Sequence, residues 1–153
     1  MSELTENYAY YFNVIGNNEC QRIYAALNWF EKGAFAPHMR WIVMPEMGIL
    51  TASRFNVILH VLSMEDSATY LPFRTHPSSS SQDESITIVH VNGNHYIKVV
   101  LNRDYPMPTL VPHWTHHVLP DARSWIIPYK RRLDMYEEYI ERTRTRDYVD
   151  LNE

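Results

Sequence analysis

Cys20 and His95 are residues of this 153-residue chain whose types could cooperate as in a cysteine protease. A cysteine attacks as its thiolate, and a histidine within hydrogen-bond reach can take the thiol proton and later return it to a leaving group. Cys20 is the single cysteine of the sequence, so a cysteine-based enzyme would have to use it. His95 stands where a second strand begins in the run from Val89 to Val100, whose Asn92-Gly93 pair marks a hairpin turn. A second cluster, His113-Trp114-Thr115-His116-His117, invites a metal reading, because His113 and His117 would share a face if helical. Nearby prolines argue against a regular helix there, and no glutamate accompanies the histidines in the His-Glu-x-x-His manner of a zinc hydrolase. A surface loop is therefore expected at this cluster, with no metal and no cofactor.

The elements that must position these residues follow from periodicity. Cys20, Ile23, Tyr24, Leu27 and Phe30 recur at helical spacing and predict an amphipathic helix near 19–32, stopped by Gly33. Pro45 can open a helix near 45–54. Phe55 to Leu62 is a dense, β-branched apolar run of the kind that forms a central strand. Thr69 to Phe73 reads as a short strand held to an edge by Pro72, and the serine-rich stretch from Pro77 to Glu84 as an exposed loop. Strands near 86–92 and 95–101 form the hairpin. The proline-punctuated stretch from Tyr105 to Pro128 crosses the surface with His113, Trp114 and Trp125 as anchors, and a charged helix runs near 129–145. The expected architecture is α+β: one domain over 1–153, with a small, mostly antiparallel central sheet flanked by helices.

Composition narrows the function classes. A formal charge of −4 gives no general attraction to phosphate backbones, and the basic residues near Lys130-Arg131-Arg132 and Arg142 are interleaved with Glu137, Glu138 and Glu141. Nucleic acid and membrane are not expected partners. No apolar run reaches the roughly 18 residues that span a bilayer, no presequence is visible, and one cysteine suits the reducing cytoplasm or nucleus.

Several blocks then resemble a known family. Leu27-Asn28-Trp29-Phe30-Glu31, the run from Trp41 to Gly48, the run from Ala52 to Val57, and Val91-Asn92-Gly93-Asn94-His95-Tyr96 are similar, in order, to the ovarian-tumour (OTU) cysteine proteases, and most of all to their plant branch. The resemblance covers about Tyr8 to Tyr136 and implies a papain-like fold that cleaves ubiquitin linkages. It also implies a nucleophile at the start of a long helix within an Asp-Gly-x-Cys motif, beside a histidine on a strand. His95 matches that histidine. Gly16-Asn17-Asn18-Glu19-Cys20 can be laid over the nucleophile motif only by deleting the helices that normally follow it. Aligning Tyr10 to Gly16 with a later family segment needs no such deletion, so the chain is expected to begin after the motif. Ile97 stands where many members place an orienting Asp or Asn, and isoleucine cannot do that work.

The expectation is a catalytically inactive OTU-like domain that binds another protein or itself, as a homodimer, through an apolar face left by the missing helices. Ubiquitin is a weaker candidate partner. Asn94, Tyr96, Trp114 and Trp125 are the candidate binding residues, with His95 a relic of catalysis and Cys20 a buried apolar residue of the first helix. The alternative is a minimal cysteine protease, a hydrolase of ubiquitin or a ubiquitin-like protein, with Cys20 as nucleophile and His95 as general base.

Overall fold

Apolar residues spaced by three and four turn the N-terminal region into helices. α1 (Ser2–Glu6), α2 (Tyr8–Ile15) and α3 (Asn17–Leu27) bury Leu4, then Tyr11 and Val14, then Cys20 and Ile23 on one stripe each. The computed structural model describes residues 2–30, 35–77, 85–102 and 105–149, with side chains to 144. α3 ends earlier than periodicity predicts, at Leu27, leaving Phe30 in irregular, exposed chain. Gly33 and most of the serine-rich stretch lie outside the described residues. A polar network anchors α1. The Glu3 carboxylate accepts from the Tyr11 hydroxyl at 2.7 Å and from Arg74 Nε at 3.0 Å, and Arg74 Nη1 also donates to the Asn7 side chain at 2.6 Å.

After a 3₁₀ turn at His38–Arg40, α4 (Glu46–Phe55) starts behind Pro45, as expected, and ends at Asn56 in the left-handed conformation. β1 (Ile58–Leu62), β2 (Ala68–Tyr70), β3 (Ser85–Val91) and β4 (His95–Val99) form one sheet in the order β2-β1-β3-β4. The two outer pairings are antiparallel, whereas the central β1–β3 pairing is parallel, with Ile58 opposite Ser85 and Leu62 opposite Val89. The sheet is therefore mixed rather than mostly antiparallel at its centre. α4 packs on β1 and β2. It comes so close that a Cβ at Gly48 would lie 2.6 Å from the Tyr70 ring.

Asn92 and Gly93 both take positive φ in the β3–β4 turn, which the Asn94 amide closes by donating to the Val91 carbonyl at 3.3 Å. In the last third, α5 (Pro112–His117) is a regular helix where prolines argued for loop. The physical reason is position: Pro112 sits in the first turn, where its missing N–H and fixed φ cost nothing. A 3₁₀ segment, Pro120–Tyr129, leads into α6 (Lys130–Val149). The fold is α+β, with four strands and six α-helices among the described residues, none of them long and apolar enough to cross a membrane.

Candidate functional site

Cys20 lies one turn inside α3, its amide donating to the Gly16 carbonyl at 3.1 Å. Its side chain has no exposed surface and belongs to the core with Tyr11, Val14 and Ile23. Burial pushes the thiol pKa up, and the neighbouring Glu19 carboxylate pushes the same way. An activated cysteine needs the opposite: an electropositive, accessible setting that stabilises the thiolate. α3 packs on α2 and on the 3₁₀ turn at His38–Arg40, whereas His95 opens β4 on the sheet edge and is exposed. Among the described residues no hydrogen bond joins Cys20 to His95. The structure does not bring the two together into a common cleft.

The aromatic residues expected to bind a partner divide into two groups. Trp114 and Trp125 are 4% and 0% exposed and belong to the buried core. Their indole N–H groups donate to the Pro72 carbonyl at 3.0 Å and the Thr75 carbonyl at 2.7 Å. This satisfies backbone oxygens that follow β2 and lets large rings close the interior without an unpaired donor. Tyr96 and Asn94 stay near the surface. The Tyr96 ring stacks on His90 at 4.6 Å, and partial burial raises its phenol pKa, while Asn94 is exposed in the turn.

Sequence reasoning missed a buried polar cluster on the other side of β1. His60 and Thr69, 1% and 0% exposed, share a hydrogen bond of 3.0 Å between Nδ1 and Oγ1. The Tyr105 ring meets the His60 ring edge-on, and the Arg132 guanidinium lies 4.0 Å over Tyr105 while its Nε donates to the Tyr105 carbonyl. Burial first, and the Arg132 charge second, lower the His60 pKa to about 4. A hydroxyl beside a neutral imidazole is formally a nucleophile and base, but both are sealed from solvent and no substrate can reach them. The only signal in the sequence was a histidine within an apolar strand.

A cavity of about 680 Å³ opens between the turn after β1 and α6, lined by Glu65, Asp66, Tyr70, His113, Tyr136 and Arg144 among others. The His113 Nδ1 is buried and has no hydrogen-bond partner among the described residues. Among the described residues no group of three or more His, Cys, Asp or Glu side chains is placed to hold a metal.

The β3–β4 hairpin carries an aliphatic strip on one face of the sheet. The register places Leu62, Val89, Val91, Ile97 and Val99 on one face together with His60, Thr87 and the exposed His95. Tyr105 and the start of α6 cover the His60 end of that face. The five aliphatic residues beyond it are outside the buried core, and Ile97 is 42% exposed. Opposite them, Ile86, Ile88 and Tyr96 pack against the core. The chain matches no protein-family model, no curated protein and no solved structure.

Proposed function

We propose that this chain is a non-catalytic, protein-binding domain derived from an OTU-type cysteine protease and retaining His95 as a relic of the catalytic pair. The observation that carries the reading is the setting of Cys20: fully buried, with its thiol pKa raised. A histidine base alone cannot perform acyl transfer, because the attacking group is the thiolate. The aliphatic strip of Leu62, Val89, Val91, Ile97 and Val99, outside the buried core and with Ile97 42% exposed, supports the binding half of the proposal, since apolar surface that the fold leaves uncovered favours contact with another protein. The papain-like character of the α+β fold belongs to the same proposal.

The test is a fluorogenic ubiquitin reporter together with a ubiquitin probe bearing a thiol-reactive C-terminus. The expected result is neither turnover nor labelling. Turnover by the wild-type chain that disappears in Cys20→Ala would overturn the proposal in favour of the minimal cysteine protease.

A further inference from the structure

The two edges of the sheet are treated differently. On the β2 side, the Thr69 amide donates to the Thr109 carbonyl at 2.9 Å and the Thr69 carbonyl accepts from the Val111 amide at 3.0 Å, so that edge is covered. On the β4 side, β3 is the sole strand partner among the described residues, and the outer backbone groups of His95–Val99 face outward. An unprotected edge is a template for another strand.

We infer that β4 pairs antiparallel with β4 of a second copy of this chain about a two-fold axis at Ile97, joining the two four-stranded sheets into one. This rests on the protein-binding reading above and names its partner. The argument is one of register. Residues directly opposite in an antiparallel pair must lie on the same face of the sheet, so the axis has to pass through a residue position. Through Ile97, all five residues of β4 find partners: Ile97 meets Ile97 of the second copy, His95 meets Val99, and Tyr96 meets Lys98. On one face the aliphatic strip then runs across the axis, and Ile97, 42% exposed in the single chain, is covered by its own copy. On the other face each Lys98 ammonium is set beside a Tyr96 ring, an attractive arrangement. Moving the axis to Lys98 opposes two ammonium groups, and moving it to Tyr96 runs Lys98 against the turn residue Asn94. A lysine on an edge strand normally discourages pairing. Here it selects one register. The contact is isologous, so it closes at two copies rather than growing into a fibre.

Cysteine placement tests the register. In a Cys20→Ala background, Ile97→Cys sets two sulfurs across the axis, at the separation a disulfide requires, whereas Lys98→Cys sets each sulfur opposite a tyrosine. The expected result is a covalent dimer from Ile97→Cys on mild oxidation, at least tenfold less from Lys98→Cys, and a concentration-dependent dimer of the wild-type chain by sedimentation velocity. Ile97→Lys, confirmed folded by circular dichroism, should sediment as a monomer. A wild-type chain that stays monomeric up to hundreds of micromolar, or equal cross-linking of the two cysteine variants, overturns the pairing and leaves the non-catalytic reading standing. A wild-type dimer with the expected cross-links in a chain that also turns over the ubiquitin reporter supports the pairing and removes that reading.

Discussion

The His60 imidazole and the Thr69 hydroxyl hold each other at 3.0 Å across the β1–β2 ladder, both sealed from water. Because the folded-state pKa of about 4 lies below the ordinary 6.5, the unfolded chain binds the extra proton more readily. The stability this provides is complete above pH 6.5 and is lost as pH falls through about 4, up to about 3 kcal/mol at full loss. Urea unfolding at several pH values should therefore show a steeper acid decline for wild type than for His60→Leu. Parallel curves would mean that the histidine enters the interior without a proton cost.

Burial of Cys20 predicts chemical silence. A thiol reagent should modify the native protein at least about a hundredfold more slowly than the urea-unfolded chain, because reaction must wait for an opening of α3. Rapid modification under native conditions, with a pH midpoint below 8, would contradict the buried, raised thiol.

Gly48 is fixed by the Tyr70 ring. Gly48→Ala brings a methyl to 2.6 Å from a ring that is itself 3% exposed and hemmed in by the core. The strain should cost about 1–3 kcal/mol in a denaturant titration. The double variant with Tyr70→Leu should show positive coupling, recovering part of the Gly48→Ala loss. Simple additivity of the two changes would place the strain elsewhere.

Trp125 combines a fully buried ring with the 2.7 Å bond to the Thr75 carbonyl. Trp125→Phe keeps most of the apolar surface and leaves that oxygen without its donor, at a cost of about 1–3 kcal/mol. The comparison Ile127→Ala, at a side chain 73% exposed, should cost about 0.5 kcal/mol or less. Equal losses at the two positions would show that the indole bond contributes nothing.

The strands were legible where the sequence carried both a period and a stop. The dense apolar run from Phe55 to Leu62 announced β1, although Phe55 itself closes α4 and the strand begins at Ile58, and Asn92-Gly93 announced the hairpin because few residue pairs accept two consecutive positive φ angles. The parallel pairing of β1 with β3 was not legible, since register between strands distant in sequence is decided by packing rather than by local pattern. The helix at Tyr8–Ile15 was hidden for a related reason: its aromatic and β-branched residues favour strand locally, and burial of Tyr11 and Val14 overrides them. Trp114 and Trp125 could be recognised as anchors, but whether they anchor a partner or the interior depended on the Pro72 and Thr75 carbonyls, which sequence could not place beside them. His95 was found by the turn that precedes it. That Cys20 is sealed in the core rather than open to a cleft required the whole fold.

The parallel ladder between β1 and β3 also bears on the order in which the sheet assembles. β3 and β4 are joined by a tight turn and β1 and β2 by a short one, so each pair can form from neighbouring chain. The Ile58–Leu62 ladder with Ser85–Val91, like the bridge between Thr69 and Leu110, must wait for two distant segments to meet, after the entropy of closing the intervening loop has been spent. Lengthening the chain between β2 and β3 should therefore raise the loop-closure cost of the parallel ladder without altering either antiparallel pair.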